Sequence, residues 1–218
     1  MPGARTLIAS GLLAAGLWAA GGAAIAEEPE APASRDEIVA YRESGEWARD
    51  TRAVIEEARR QLERSDAARP ALVLDVDDTA LSNYRCMARR GFRPAPGRTP
   101  CAASGRLPAI PQTLSLYREA RRLGVTVVFI TGRHEWLRPA TVANLRRAGY
   151  RGRLRLHLRP DREPPGTHDG YKARTRRALQ RQGLTIVANV GDQRSDLTGG
   201  AAQGTFKLPN PMYVIRSA

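Results

Sequence analysis

Lysine is almost missing from this 218-residue chain. It occurs at Lys172 and Lys207, so 33 of the 35 basic residues are arginine. Histidine is nearly as scarce: His134, His157 and His168 are scattered, which excludes a histidine-rich metal centre. Two cysteines, Cys86 and Cys101, are too few for a disulfide-dense scaffold or for a structural zinc site of their own. Aromatic residues make up 6% and no nucleic-acid reader motif occurs, so nucleic acid is not an expected partner despite the net charge of +13. After residue 26 no apolar run is long enough to cross a bilayer. What remains is a globular composition, 42% hydrophobic and 26% charged, which excludes wholesale disorder and fibrous repeats.

The amino terminus reads as an address. Thr6 to Ala26 is uncharged and rich in Ala, Leu and Gly, follows Arg5, and ends in Ala24-Ile25-Ala26 before Glu27-Glu28. Residues 1–26 are therefore expected to be a cleavable signal peptide, with an uncleaved anchor as the alternative. No cysteine adjoins the cleavage site, so a lipid-anchored cysteine is not expected. The mature chain is expected to be periplasmic or secreted, in an oxidising compartment, without stable membrane insertion. Residues 27–34, rich in Pro, Ala and Glu, are expected to be a flexible leader, and 35–218 to form one domain.

Within that domain Arg35 to Arg64 is helical in pattern, with Trp47, Val54, Ile55, Ala58 and Leu62 near one face. From Pro70 the pattern changes. Ala71 to Leu74, Val125 to Ile130 and Leu184 to Val190 are continuous apolar runs, as expected of strands covered on both faces, and Arg153 to Leu158 alternates. Helical segments between them close on Gly124, Gly149 and Gly183, the residue that takes the left-handed conformation past a helix end at least cost. Alternating strand and helix predicts an α/β fold: a Rossmann-like, mainly parallel sheet with helices on both faces and right-handed crossovers. One connection is too long: Thr79 to Pro108 separates the first strand from its helix, and most such loops hold about 2–6 residues. This stretch, about 80–108, is expected to be a lid or specificity insert. It contains both cysteines, for which a Cys86–Cys101 disulfide is expected in an oxidising compartment and two free thiols are the alternative.

In open parallel sheets ligands bind beyond the carboxyl ends of the strands. The residues found there are Asp75-Val76-Asp77-Asp78-Thr79, Thr131-Gly132-Arg133 and Gly191-Asp192-Gln193-Arg194-Ser195-Asp196, with Lys172 opening a helix. A parallel sheet would gather Asp75, Asp77, Asp192 and Asp196 at one rim, where they repel one another and raise each other's pKa. A hard cation relieves that repulsion, and oxygen-only ligands suit magnesium. Asp75 as nucleophile, Asp77 as acid and base two residues on, and Thr131 and Lys172 on the phosphoryl oxygens make the set expected of a phosphoryl-transfer site.

These motifs resemble those of the haloacid dehalogenase (HAD) superfamily, in its branch of secreted acid phosphatases related to plant vegetative storage proteins and bacterial class B-like enzymes. Asp75 to Asn83 is similar to the first motif, Phe129 to Arg133 with Arg138 to Leu145 to the second, Tyr171-Lys172 to the third and Gly191 to Leu197 to the fourth. Tyr41 to Trp47 and Phe206 to Tyr213 are similar too, so the resemblance covers about 35–215. It implies hydrolysis of small phosphate monoesters, magnesium as cofactor, Asp75 as nucleophile, Asp77 as acid/base and Thr131 and Lys172 as phosphate contacts. It also implies metal contacts from Asp75, Asp77 and Asp192, with Asp196 acting through water or the Lys172 ammonium. Some plant storage relatives lack the nucleophile, whereas Asp75 is present here. The alternatives are a non-catalytic storage or binding protein on the same fold, and phosphotransfer to alcohols.

Other residues admit two readings. Gly132 and Arg133 are candidates for substrate binding, Arg133 equally for a surface ion pair. Asn83, Tyr84 and Trp136 are candidates for the leaving-group pocket or for ordinary packing. His134 follows the second motif and is expected to be structural. The arginines from Arg146 to Arg162 form either a solvated face or an attractor of polyanions.

Overall fold

The computed structural model describes residues 31–93, 99–162 and 168–215. The expected signal peptide and most of the expected leader lie outside the described residues.

The apolar runs form strands β1 (Pro70–Leu74), β2 (Thr126–His134), β3 (Arg155–Arg159) and β4 (Thr185–Gly191), joined by an edge strand β5 (Gly204–Lys207). All pair in parallel, in the order β3-β2-β1-β4-β5. Alternate residues face opposite sides. On one side Leu72 and Leu74 join Phe129, Leu156 and Val187. Helices α2 (Glu46–Glu63), α5 (Pro111–Arg122) and α6 (Arg138–Arg147) cover that side through Ile55, Leu116 and Leu145. On the other, Ala71, Val73, Val128 and Ile186 pack on Tyr171 and Leu179 of α7 (His168–Arg181). Because β2 and β4 leave β1 in opposite directions across the sheet, the chain ends of β1 and β4 lie side by side at a topological switch point, where a crevice opens.

The amino-terminal helix expected over Arg35 to Arg64 is two helices. α1 (Arg35–Glu43) ends at Ser44, and Gly45, at φ 76°, starts α2 in a new direction. α1 buries Ile38 alone, too little for a period of its own, so the break is marked instead by the left-handed conformation that glycine takes without strain. β2 also runs past the expected Ile130, to His134, with a register irregularity against β3 between Thr131 and His134. β5 is not an apolar run at all: Phe206 is its one large hydrophobic side chain.

The long excursion after β1 is pinned at its base, where Leu81 bridges both Asp77 and Ala109 and the Ser82 amide donates to the Pro108 carbonyl. It carries α3 (Tyr84–Ala88) and α4 (Thr99–Ala103), and a disulfide joins Cys86 to Cys101, Cα to Cα 5.9 Å. Arg42 stacks its guanidinium over Trp47 at 3.5 Å and Tyr84 at 4.5 Å, tying α1 and α2 to this insert.

Arg176 of α7 is fully buried. Its guanidinium donates to the carbonyls of Gly200 (3.0 Å), Asp196 (2.6 Å) and Thr198. It therefore holds in place the loop after α8 (Arg194–Leu197). Arg176→Met leaves three carbonyls without their charged donor, and is expected to cost about 3 kcal/mol. For a domain of this size that lowers Tm by about 6–12 °C, which thermal unfolding followed by circular dichroism measures.

Candidate active site

Four segments meet at the carboxyl ends of β1, β2 and β4. The strand itself places the first carboxylate: Asp75 follows Leu74 directly and continues β1, its amide donating to the Val190 carbonyl at 3.0 Å. The chain then turns sharply. Asp78 sits at φ 53°, a conformation uncommon outside glycine, and its carboxylate accepts from the Asn83 amide (2.8 Å), Asn83 Nδ2 (3.0 Å) and the Tyr213 hydroxyl (2.7 Å). After β4, Gly191 leaves room for Asp196, with whose side chain a Cβ would collide. Gln193 caps α8, and its amide donates to Asp196 Oδ2 at 2.8 Å.

Lys172 joins the two sides. Its ammonium donates to Asp75 Oδ1 at 2.6 Å and to Asp196 Oδ1, and all three side chains are buried. Against burial, which disfavours its charge, the carboxylates of Asp196 and Asp75 hold this ammonium above the usual lysine range. Asp75 goes the other way from an ordinary carboxylate. Burial pushes its pKa well up, opposed by Lys172 and reinforced by repulsion from Asp196, Asp192 and Asp77.

Asp192 stands beside them. Its Oδ1 accepts from the Thr79 hydroxyl at 3.2 Å, and its Oδ2 from Gln193 Nε2 and Asn210 Nδ2, each at 2.7 Å. Burial, with repulsion from Asp196 and Asp78, pushes its pKa up to about 7 in spite of those amides. One carboxylate oxygen from each of Asp75, Asp192 and Asp196 lies within 4.8 Å of the others. Three buried carboxylates facing one lysine leave uncompensated negative charge and offer only oxygen donors. That donor set fits a hard divalent cation such as magnesium. Asp196 fits least directly, since Lys172 and the Gln193 amide already occupy both its oxygens.

The raised pKa of Asp192 gives a pH test. In the folded, metal-free protein the group keeps its proton up to about 7 rather than 3.8, so its stabilising contribution is complete below 3.8 and is lost as pH rises through about 7. Metal-free protein is therefore expected to melt higher at about pH 5 than at about pH 8, and magnesium to raise Tm more at about pH 8. Asp192→Asn should flatten both differences in thermal melts with EDTA and with magnesium.

The remaining candidates are placed differently. The Asp77 carboxylate is gripped by Arg133, whose Nε and Nη2 donate at 2.9 and 2.8 Å, and by Asn83 Nδ2 at 3.0 Å. Arg133 is thus no surface ion pair: it is buried and also donates to the Thr141 hydroxyl at 3.1 Å. Thr131 is fully buried, its hydroxyl accepting from the Arg133 amide; Gly132 and Arg133 form the cavity wall at this point.

The cavity above these groups has a volume of about 530 Å³. Asp75, Asp77, Lys172, Asp192 and Asp196 form its floor, and Met87, Phe92, Leu137 and Met212 much of its apolar wall. Asn83, Tyr84 and Trp136 do not line it. Asn83 is buried against Asp77 and Asp78, Tyr84 packs on Phe92 with ring centroids 5.6 Å apart, and Trp136 is 55% exposed. His134 does line it, with Nε2 against the Arg159 guanidinium.

The sequence motifs include the groups that steady the carboxylates but assign them no role: Thr79, Gln193 and Asn210 on Asp192, and Tyr213 on Asp78. Thr79 and Gln193 adjoin motif aspartates, which is a usable signal. Asn210 and Tyr213 belong to a carboxy-terminal strap that returns over the site, bonded through Ile215 and Tyr213 backbone to the Gln193 side chain.

The family model described as "HAD superfamily, subfamily IIIB (Acid phosphatase)" matches residues 18–216. Among curated proteins, the chain is similar to acid phosphatase 1 of Solanum lycopersicum, 38% identical over 178 residues, 79% of this chain and 66% of that protein. It is also similar to vegetative storage protein 1 of Arabidopsis thaliana, 35% identical over 150 residues, 66% of this chain and 55% of that protein. The matches thus span about half to two thirds of these relatives' own length. Among solved structures, the class C acid phosphatase from Bacillus anthracis has a similar fold. Its TM-score is 0.62 at 21% identity, covering 83% of this chain and 86% of that one.

Proposed function

Because the chain belongs to subfamily IIIB of the HAD superfamily, the acid phosphatase subfamily, we propose that it hydrolyses small phosphate monoesters at the Asp75 site with magnesium as cofactor. The observation that carries this reading is the convergence of Asp75, Lys172, Asp192 and Asp196 on the floor of one cavity.

Asp75 Oδ1 is held by Lys172, and among the described residues no donor occupies Oδ2. In the proposed reaction that oxygen attacks phosphorus, the P–O bond to the alcohol breaks, and an aspartyl phosphate forms. Asp77 gives a proton to the leaving oxygen and later takes one from the attacking water. Arg133 and Asn83 fix its direction, and Asp77 loosens one of these bonds to carry the proton. Lys172 and the chain at Thr131–Arg133 steady the phosphoryl oxygens as charge spreads onto them. Asp75, Asp192 and the Asp77 carbonyl would hold magnesium, with Asp196 steadying Lys172. When bound, the ion supplies positive charge that offsets the carboxylates and the phosphate dianion.

The family, the disulfide and an amino terminus of signal-peptide pattern support a periplasmic or secreted location. Among the described residues no helix is long and apolar enough to cross a membrane.

Purified protein assayed with aryl, nucleoside and sugar phosphates should release phosphate in magnesium, lose at least about tenfold in EDTA, and recover on adding the ion back. No release from any ester with any divalent ion would leave the storage reading, which the relative named vegetative storage protein 1 suggests. Adding alcohols and comparing phosphate with new ester separates hydrolysis from transfer.

A further inference from the structure

Positive charge is unevenly spread along the chain. Residues 136–191 hold thirteen basic and three acidic side chains, so one quarter of the chain carries +10 of the +13. From 136 to 160 there are seven arginines and no carboxylate. This quarter is α6, β3, α7 and β4, and β3 is an edge of the sheet. Lys172, Arg176 and Arg159 of this stretch are buried, and α6 and α7 cover opposite faces of the sheet, so the exposed charge that shares one surface is that of the β3 edge and the end of α6.

Four of these arginines, Arg146, Arg151, Arg153 and Arg155, are exposed and make no ion pair with a carboxylate among the described residues. Arg118 and Arg121 of α5 extend the patch. They reach the backbone positions where side chains at Gly149 and Gly152 would begin, within 3.5 and 3.0 Å. The Tyr117 hydroxyl, donating to the Arg151 carbonyl, fixes the loop between them. The only exposed large hydrophobic side chains among the described residues, Leu123 and Trp136, stand just before and just after β2, the strand that pairs with β3.

Protecting an open strand edge from pairing needs a charge or two. It does not explain four exposed arginines without carboxylate partners, with Arg118 and Arg121 beside them and an exposed indole past the end of β2. Arginine forks match phosphate oxygens, and an indole settles at the headgroup level of a bilayer. Among the described residues the patch has no row of exposed aromatics on which bases could stack, which argues against a nucleic acid. We propose that the β3 edge, with its flanking helix ends, is a docking surface for an anionic phospholipid bilayer. It would hold the protein peripherally, without insertion, and is independent of the chemistry at Asp75.

The test is co-sedimentation with vesicles of phosphatidylglycerol and phosphatidylcholine against phosphatidylcholine alone. Binding should require phosphatidylglycerol and fall at least tenfold between about 50 mM and about 300 mM salt. At about 1 kcal/mol per arginine near such a surface, Arg151→Ser/Arg153→Ser/Arg155→Ser should weaken binding on the order of 100-fold. The same three positions changed to lysine should keep most of it, and Trp136→Ser should weaken it at both salt concentrations. Matching circular dichroism melts show that these variants fold. Three results would overturn the proposal: no binding at the lower salt, serine variants that bind like the unaltered protein, or preferential capture by duplex DNA at equal phosphate concentration.

Discussion

Asp75→Asn is expected to abolish steady-state hydrolysis, by at least about 10⁴-fold, while the protein remains folded. An amide cannot supply the carboxylate oxygen that attacks phosphorus, and no other carboxylate can take the place. Asp196 is tied through both oxygens, Asp192 is held by Thr79, Gln193 and Asn210, and Asp77 is bonded to Arg133. The fold survives for an electrostatic reason. Burial, reinforced by the neighbouring carboxylates, pushes the Asp75 pKa well above the carboxylate range, so a neutral isostere relieves desolvation and repulsion even as it weakens the contact with Lys172. In EDTA the variant should melt within a few degrees of the unaltered protein. Acid-quenched enzyme should carry radiolabelled phosphate from a labelled ester, and the variant none. Turnover by clean Asp75→Asn protein above the level of trace contamination would remove Asp75 from the nucleophile's role.

The central strands and the aspartates that follow them were legible because their physical cause is local. β1, β2 and β4 are buried on both faces, so they are continuous apolar runs, and parallel pairing then places Asp75 and Asp192 side by side. β5 lacks that cause: a half-covered edge strand with Phe206 alone as a large apolar residue has no pattern to detect. The break at Gly45 is hidden for a related reason, since α1 buries Ile38 alone and has no period of its own against which a change of phase would show. In the site, the groups that were not legible are those whose partners are far apart in the chain. Arg133 and Asp77 are 56 positions apart, and Asn210 reaches Asp192 because the strap after β5 returns over the sheet. Nothing local in Arg133 distinguishes a side chain buried on Asp77 from one reaching for substrate. Nor does an asparagine between two prolines announce that it steadies a carboxylate.

Lys172→Met is expected to be the most damaging change for stability and activity together. Among the described residues the ammonium is the one cation in direct contact with both Asp75 and Asp196, and all three groups are shut away from water. Breaking a buried pair by removing one partner costs about 3–5 kcal/mol, because the charges left behind have neither solvent nor counterion. The carboxylates escape that cost by taking up protons, and a proton on Asp75 is lost to nucleophilic attack. The variant should therefore lose about 10²–10³ in kcat/KM and depend more steeply on pH than the unaltered protein. The sign follows from the carboxylates. With Lys172 gone the folded pKa of Asp75 rises further, because burial and the neighbouring carboxylates act on it without the opposing ammonium, so metal-free Lys172→Met should be most stable at low pH and lose stability as pH climbs. Lys172→Arg should not restore activity. A planar guanidinium cannot stand as a compact point charge between two carboxylate oxygens that a single ammonium now bridges. Kinetics of both variants beside their thermal melts across pH decide the matter: an unchanged kcat/KM, or a Tm that fails to fall between about pH 5 and about pH 8, would show that the ammonium does not hold the site together.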